Sequence, residues 1–343
     1  SYSPAGISQV RAAMSTIRPK RWPSNITALE GVLPEDLHTG GSFRRIGSIV
    51  RWLKARHPDV LITNNWGAME WAAAANFVGK MGRIHTESGF GPDEAFKLNP
   101  KRGLFRRAAL RRHDAVLLCS QTLVTIARES WKLSPSVATF VPDGIDIARF
   151  SPDGITPMDL QVPTDAVVIG CVAPLRAEKN LTALLNAFDL AWQADPSLHL
   201  AIAGDGPEAD ALKAHTAGLQ SRAAIQFVGF VDHIETFLKA IDICALSSDT
   251  EQLPNAILQA MAMALPVAAF AVGDIAHMTA ELNAPYLPAR RDIEGLSKAF
   301  LALAEYEESR QRIGNANQEK CAEHYTQALM AERYKAAIER AAS

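Results

Sequence analysis

The sequence predicts an α/β protein with two doubly wound parallel-sheet domains that face each other across a cleft. The chain has 343 residues, which suits two domains of ordinary size. Short apolar runs rich in Val, Ile and Ala alternate with helical patterns along most of its length. Residues 1–150 carry 21 Lys and Arg against 12 Asp and Glu, while the remainder carries 14 against 25. This charge difference favours two domains with different partners.

Composition excludes several classes of protein. Hydrophobic residues make up 48% and charged residues 21%, as in ordinary globular chains. The most apolar stretch, residues 256–272, contains Gln259 and Pro266 and is too short to span a membrane. The four cysteines are widely spaced, which predicts buried free thiols in a reducing compartment and no zinc site. No signal peptide is recognised, and because position 1 is Ser rather than Met, we expect a trimmed N-terminus.

The second half has the clearer alternation of strands and helices. Strands are predicted at residues 166–173, 198–203, 224–228, 241–246, 266–271 and 285–287. Helices are predicted at residues 180–194, 208–219, 234–240, 255–264 and 293–304. Continuous apolar strands between helices are typical of a parallel sheet that is covered on both faces.

The first half shows the same alternation less regularly. Strands are predicted at residues 60–63, 83–86, 115–119 and 137–141, and helices at residues 43–56, 69–78, 102–112 and 120–129. Residues 143–163 are polar and contain Gly and Pro, which predicts a linker. We therefore expect an N-terminal domain at residues 1–153, a C-terminal domain at 154–322, and a last helix at 323–343.

Open α/β sheets bind ligands beyond the carboxyl ends of their strands, so the loops that follow strands are the candidate sites. Residues 202–209 (IAGDGPEA) match the dinucleotide pattern G-x-G-x-x-A. However, no acid ends the following strand, and the motif is not in the first strand–helix unit of its domain. A tight turn with Pro207 at the first helical position is the better interpretation.

Two other loops carry charged groups at the start of a predicted helix. Residues 171–180 (CVAPLRAEKN) place Arg176 and Lys179 where a phosphate or diphosphate could bind. Residues 250–262 (TEQLPNAILQAMA) place Glu251 just ahead of a helix that begins near Pro254. This carboxylate and the free N–H groups of the first turn could hold a sugar hydroxyl and a phosphate together. A solvated charged loop and an acid favoured by the helix dipole are the ordinary alternatives.

Taken in order, these loops, the Gly-Asp-Gly-Pro turn and residues 227–230 (FVGF) are similar to the motifs of glycosyltransferase family 4. The resemblance is dense over residues 167–274 and looser in the first half, through His85 and residues 141–150 (VPDGIDIARF). It implies the GT-B fold, which consists of two Rossmann-like domains. It also implies a retaining enzyme that uses a nucleotide-activated sugar, and a C-terminal helix that returns to the N-terminal domain.

The resemblance assigns roles to individual residues. Lys179 matches the lysine that neutralises the donor diphosphate, and Glu251 matches the first acid of an E-x7-E motif, which holds sugar hydroxyls. His85 resembles a histidine beside the sugar, with an ordinary core histidine as the alternative. The implied catalytic residues are His85, Lys179 and Glu251. The implied donor-binding residues are Gly6, Arg176, Lys179, Gly229, Phe230, Glu251, Leu253, Pro254, Asn255 and Gln259.

The sequence departs from the family pattern at three points. Gln259 stands where the second acid would accept hydrogen bonds from the ribose, and an amide still offers an acceptor. Pro174 stands where many members have a phosphate-binding arginine, and Arg176 is the candidate replacement. The first strand of the family is expected just ahead of Ser1.

We therefore expect a glycosyltransferase of the hexosyltransferase type (EC 2.4) with a UDP- or GDP-sugar as donor. No Asp-x-Asp motif ends a strand of the second half, so no metal cofactor is expected. The expected acceptor is a lipid-diphosphate-linked molecule or a glycan, in the biosynthesis of lipopolysaccharide or another surface polysaccharide or glycolipid. The residues of the basic half are expected either to be solvated or to hold the protein at the anionic inner face of the cytoplasmic membrane: Arg44, Arg45, Arg51, Lys54, Arg56, Lys97, Lys101, Arg102, Arg106, Arg107, Arg111 and Arg112.

Other functions remain open at this point. A sugar-nucleotide epimerase would need acid and base residues that the motifs do not supply. A non-catalytic sugar-nucleotide-binding protein is compatible with Gln259 and Pro174. A nicotinamide-dependent dehydrogenase fits the set of motifs poorly. Nucleic-acid binding is not expected, because the second half is acidic and no recognition motif occurs.

Overall fold

The computed structural model describes residues 10–12, 26–28, 42–90, 94 and 97–343. The chain divides into two compact units, of which the first comprises Ser1–Pro142 with Ala331–Ser343 and the second comprises Asp143–Met330. Each unit contains one sheet in which all the paired strands are parallel. The predicted α/β class is therefore confirmed.

The first unit has a six-stranded sheet. Its strands are β1 (Val10–Ala12), β2 (Ile26–Ala28), β3 (Val60–Asn64), β4 (Gly82–Glu87), β5 (Ala115–Leu118) and β6 (Ala138–Phe140). Their order across the sheet is β2-β1-β3-β4-β5-β6. The helices are α1 (Ser42–Arg56), α2 (Met69–Ala75), α3 (Pro100–Leu110) and α4 (Gln121–Glu129). The sequence pattern missed β1 and β2, which are three residues each and lie in no apolar run.

Apolar faces explain the layers of this unit. All four residues of β5 are buried, as expected for a strand that is covered on both sides. Ile49 and Leu53 of α1 pack with Leu61 of β3 and with alanines of α2. Helix α3 begins two residues earlier than predicted, because the Asn99 side chain accepts hydrogen bonds from the first turn, with Pro100 at the first position.

The second unit has a five-stranded sheet. Its strands are β7 (Val167–Val172), β8 (Leu198–Ala203), β9 (Ile225–Gly229), β10 (Ile243–Leu246) and β11 (Val267–Ala269). The helices are α5 (Leu181–Ala194), α6 (Ala209–Ala217), α7 (Ile234–Lys239), α8 (Asn255–Ala262), α9 (Ile275–Met278), α10 (Ile293–Glu305) and α11 (Glu307–His324). Helix α12 (Gln327–Ala342) begins in this unit, and its last twelve residues belong to the first.

The predicted strand at residues 285–287 is wrong. This segment lies in a 3-10 helix, Glu281–Tyr286, with Pro285 inside it. The buried Asn283 side chain accepts a hydrogen bond from Val267 N at 2.9 Å and donates one to Val267 O at 2.8 Å. Its amide therefore satisfies the outer backbone groups of β11 in place of a further strand.

The C-terminal helical region consists of two helices, and not of one helix that begins at residue 323. Helix α11 ends at His324, and α12 begins at Gln327. Between them Ile145 N donates to Tyr325 O at 2.7 Å, and Gln327 N donates to Ile145 O at 3.1 Å. Gly144 is required here, because a Cβ would lie 2.5 Å from Thr326 O. Within the first unit, a Cβ on Gly82 of β4 would overlap with the backbone of Ala341, so the end of α12 packs closely on this strand.

The strand order of the second sheet, β11-β10-β7-β8-β9, reverses between β10 and β7. At such a switch point the loops leave neighbouring strands toward opposite faces of the sheet and open a crevice at its carboxyl edge. The loops that follow β7 and β10 are those in which the sequence predicted phosphate and hydroxyl binding.

Candidate functional site

A cavity of about 650 Å³ lies at this switch point, within the second unit. Loops that follow four of the strands, together with the start of α8, form its wall. The lining residues are Val172, Ala173, Pro174, Lys179, Ala203, Gly204, Asp205, Phe230, Val231, Ile234, Leu246, Glu251, Leu253, Pro254, Asn255, Ala256 and Gln259. The cavity thus brings together seven of the predicted site residues: Lys179, Phe230, Glu251, Leu253, Pro254, Asn255 and Gln259.

A lysine and a carboxylate meet in this wall. Lys179 ends a 3-10 turn, Ala177–Lys179, and its Nζ donates to Oε1 of Glu251 at 2.5 Å. The Ser248 hydroxyl donates to the same oxygen at 2.7 Å. Among the described residues both hydrogen bonds fall on Oε1, so Oε2 can accept a hydrogen bond from a ligand hydroxyl.

The first turn of α8 contributes backbone donors. Pro254 is the N-cap residue, and its carbonyl accepts from Ile257 N and Leu258 N at 3.0 and 3.2 Å. The N–H groups at the start of a helix have no intrahelical partner and attract anions. Asn255 and Gln259 are four residues apart, so they share the face of α8 that lines the cavity.

The Gly-Asp-Gly-Pro motif shapes the wall through close backbone contact. Gly204 has a φ of 144°, and a Cβ there would overlap with the carbonyl group of Ala173. Gly206 packs closely against the backbone of Leu175, and the N–H group of Leu175 donates to Asp205 O at 3.0 Å. The glycines therefore allow two loops to pack against each other, as expected for a tight turn. Pro207 lies just ahead of α6 rather than in its first turn.

The other predicted donor-binding residues lie elsewhere. Gly229, with a φ of 74°, precedes the cavity residue Phe230, whose side chain is 76% exposed. Arg176 does not line the cavity; its side chain is 61% exposed and lies 4.0 Å from Glu178. Pro174 occupies part of the wall, at the position where the family often has an arginine. Gly6 lies outside the described residues.

His85 lies in the first unit, on β4, and is completely buried. Its Nδ1 is 2.9 Å from Thr63 Oγ1, and that hydroxyl donates to Ile84 O at 3.2 Å. The direction of the hydrogen bond between His85 Nδ1 and the Thr63 hydroxyl depends on the tautomer of the ring. The other ring nitrogen, Nε2, lies 3.8 Å from Glu87 Oε2 and has no hydrogen-bond partner among the described residues.

Arg106 is buried, so the prediction that it is solvated or binds a membrane is wrong. Its side chain is 1% exposed, and Nε donates to Glu87 Oε2 at 3.3 Å. Nη2 donates to Glu94 Oε2 at 3.2 Å. Three aromatic rings surround the guanidinium, with centroids 4.8 to 5.2 Å from Cζ: Trp66, Phe90 and Trp131. Arg106 is therefore part of a buried ionic network and is not available at the surface.

Burial changes the pKa values of several groups. Desolvation, followed by the charges of His85 and Arg83, lowers the pKa of His113 to about 3. Burial raises the pKa of the Cys171 thiol to about 12 and also raises that of Cys244. All four cysteines are free and buried, which confirms the prediction from their sequence context.

The prediction from sequence missed Ser248, Asp249, Glu87 and Arg291. Ser248 and Asp249 lie in the loop that follows β10, so their position after a strand end was a signal. Glu87 likewise ends β4. Arg291 binds Asp249 across 42 residues of sequence, and no local pattern indicates that contact.

Comparison with known proteins gives the same assignment in both units. The family model described as "Glycosyl transferases group 1" matches residues 156–320, and the model "Glycosyltransferase Family 4" matches residues 17–149. A 2-deoxystreptamine N-acetyl-D-glucosaminyltransferase from Streptomyces fradiae is 30% identical over 205 residues, which cover 56% of this chain and 48% of that protein. The chain thus spans about half the length of the curated relatives it matches.

Two solved structures show the same fold. A glycosyltransferase from Rickettsia africae has a TM-score of 0.74 at 16% identity, covering 92% of this chain and 89% of that chain. Anabaena HepE in complex with UDP and glucose has a TM-score of 0.71 at 16% identity, covering 92% and 85%. The two sheets are those of the GT-B fold, as the resemblance implied. The chain belongs to glycosyltransferase family 4, whose two family models together match both of its halves.

Proposed function

We propose that this protein transfers a sugar from a nucleoside-diphosphate sugar, with retention of configuration, and that its second unit binds the donor. The observation that carries the proposal is the cavity that joins the Lys179 ammonium, the Glu251 carboxylate and the first turn of α8. A cation with free N–H groups suits a diphosphate, and a carboxylate oxygen suits sugar hydroxyls. The complexes of HepE with UDP and with UDP and glucose support this donor class.

In this proposal the donor diphosphate lies between Lys179 and the N–H groups of Asn255 and Ala256. Glu251 holds hydroxyls of the transferred sugar, Gln259 accepts from the ribose, and the base lies toward Phe230. As the bond from the sugar to the phosphate breaks, negative charge grows on the leaving phosphate. Lys179 and the helix start stabilise that charge, which lowers the barrier.

We further propose that the first unit binds the acceptor. The acceptor attacks from the face that the nucleotide leaves, and the leaving phosphate helps to remove its proton. Within the described residues no group of three or more His, Cys, Asp or Glu side chains is arranged to hold a metal ion. That the reaction needs no divalent ion stays a prediction from the sequence, as does the choice between a UDP- and a GDP-sugar.

A lipid-diphosphate-linked or glycan acceptor is proposed from the family and from relatives such as the lipopolysaccharide core biosynthesis glycosyltransferase LpsE of Rhizobium meliloti, 32% identical over 108 residues. None of the described helices is both long and apolar enough to cross a bilayer. Lys101, Arg107 and Arg111 are exposed and share one face of α3 with Leu104, which is 67% exposed. This combination suits an anionic membrane surface, here proposed as the inner face of the cytoplasmic membrane.

Nucleotide binding tests the donor site. Thermal stabilisation by UDP, GDP, ADP and NAD would be measured for the parent, for Lys179→Ala and for the surface control Lys213→Ala. One diphosphate should stabilise the parent and the control, and its affinity should fall about 10- to 100-fold in Lys179→Ala, as for the loss of a charged hydrogen-bonding partner. Stabilisation by none of the four would contradict the proposal. Binding without release of nucleoside diphosphate from UDP- or GDP-sugars would favour a non-catalytic binding protein.

Vesicle sedimentation tests the membrane surface. Binding to phosphatidylglycerol vesicles should fall about 100-fold or more after joint reversal of Lys101, Arg107 and Arg111 to Glu, because each basic residue near the surface contributes about 1 kcal/mol. The matched control reverses Lys213, Lys239 and Lys298 of the second unit. Equal binding by the parent and the first variant would sink this part of the proposal. Arg106 is left unchanged because it is buried.

A further inference from the structure

The turn that carries Lys179 is held by the segment that follows β10. The N–H group of Asp249 donates to Glu178 O at 2.9 Å. The hydroxyl of Ser247 donates to the carbonyl oxygens of Lys179 and Asn180, at 3.0 Å each. Three consecutive carbonyl groups of the turn are thus attached to one short segment, so the position of the Lys179 backbone depends on how that segment is fixed.

Asp249 is the charged residue of this segment, and its side chain is 6% exposed. Asn180 Nδ2 donates to Asp249 Oδ1 at 3.3 Å. Arg291 Nε and Nη2 donate to Asp249 Oδ1 and Oδ2, both at 2.7 Å. Two short parallel bonds between planar groups fix both the distance and the angle of the pair. The hydrogen bonds from Arg291, followed by its charge, lower the pKa of the Asp249 carboxyl.

The two residues whose side chains donate to Asp249, Asn180 and Arg291, both have a positive backbone φ. Asn180, which links the turn to α5, has a φ of 46°, and Arg291 has a φ of 66°. Asparagine adopts this left-handed region readily, whereas for a long side chain such as Arg291 it is uncommon. Without Arg291, the buried Asp249 carboxylate would keep one neutral side-chain donor, Asn180, and a buried charge with so little compensation is unfavourable.

We infer that Arg291 is a positioning residue for donor binding: through Asp249 it holds the turn that presents Lys179 to the diphosphate. The inference rests on the proposed function, because it assigns Arg291 an effect on the same cavity. Arg291 itself does not line that cavity. If the ion pair stabilised only the fold, its loss would not weaken donor binding through Lys179. If its charge acted at long range, Arg290 would matter as much as Arg291.

Arg290 offers a matched control for charge. It is the preceding residue, it is exposed, and its charge also acts on Asp249, without the two short hydrogen bonds. Arg291→Ala and Arg290→Ala therefore remove the same charge from neighbouring positions. Arg291→Lys keeps the charge and loses the paired geometry, so it separates geometry from charge and serves if Arg291→Ala folds poorly.

Hydrogen exchange in the free protein tests whether Arg291 holds the turn. The peptide that spans residues 177–181 should exchange about tenfold faster in Arg291→Ala, and to an intermediate degree in Arg291→Lys, because the turn opens more often. Arg290→Ala should match the parent. Equal exchange in all four proteins would overturn the inference, whatever they bind.

Calorimetric titration with UDP and GDP tests whether the effect passes through Lys179. Arg291→Ala should weaken binding of the preferred diphosphate about 5- to 10-fold, and Arg290→Ala less than about twofold. In a Lys179→Ala background, the same Arg291 substitution should change the affinity less than about twofold, because the group it positions is gone. An equal effect in both backgrounds would overturn the inference. Failure of the parent to bind either nucleotide would instead overturn the proposed function, and hydrogen exchange would still decide whether Arg291 holds the turn.

Discussion

In the second unit the charged groups at the carboxyl edge of the sheet line an open cavity, whereas in the first unit they are buried against one another. Lys179 and Glu251 contact each other, yet both remain in the cavity wall. Arg106 and Glu87 are 1% exposed or less and pair inside the unit. The difference indicates that a ligand can replace the partners of Lys179, while the charges around Arg106 are enclosed within the unit and pair with one another. Charge removal should therefore affect ligand binding in the second unit and folding in the first.

The largest expected effect is on the buried network. Arg106→Met should lower the free energy of unfolding by about 3–5 kcal/mol, because it leaves Glu87 buried without its cation and Glu94 with Arg102 alone. Denaturant unfolding would measure this loss, and Arg107→Met, at an exposed neighbour, should stay within about 0.5 kcal/mol of the parent.

Lys179→Met sharpens the same comparison. It should change the free energy of unfolding by less than about 1 kcal/mol, because its partner Glu251 keeps the Ser248 hydrogen bond and contact with the cavity. A loss as large as that of Arg106→Met would show that the two units do not differ in this respect.

An intermediate effect is expected at the glycine turn of the second unit. Gly204→Ala should cost about 3 kcal/mol, since the positive φ and a Cβ overlap with Ala173 act together. Gly154→Ala is the matched control, because Gly154 also has a positive φ, 75°, but has open space around its Cβ position. It should cost about 1 kcal/mol. Equal losses in the two variants would mean that the loop contact with Ala173 does not hold the cavity wall.

A further expected effect depends on pH and belongs to the first unit. The folded protein keeps His113 neutral to about pH 3, while the ordinary pKa is 6.5. Between these values the unfolded chain binds the extra proton, so stability falls as the pH is lowered, by up to about 1.4 kcal/mol per pH unit from this group. Among the described residues the hydrogen bond of the His113 ring with the Ala109 backbone is weak. His113→Phe should therefore remove this part of the slope at little cost at pH 7; an unchanged slope would contradict the assignment.

The sequence predicted the second unit more fully than the first. Its strands are continuous apolar runs, so residues 198–203 were identified at both ends, and Lys179 and Glu251 were expected near one ligand. Contacts that join distant residues could not be predicted. Arg106 lies in a basic run that indicates a solvated face, and its burial depends on Glu87 and Glu94 in other segments. The Arg291–Asp249 pair and the Asn283 amide are of the same kind.

The Asn283 side chain has a consequence for the behaviour of this protein at high concentration. Strand β11 is the edge of its sheet, and an uncovered edge offers a row of N–H and C=O groups on which another chain can add a strand. Asn283 already occupies the outward N–H and C=O of Val267, and Asn317 Nδ2 holds the Asn283 amide in place at 2.9 Å. Two buried asparagines thus occupy the outward groups of Val267, so replacing Asn283 would expose them to a strand of another molecule and favour aggregation as well as lower stability.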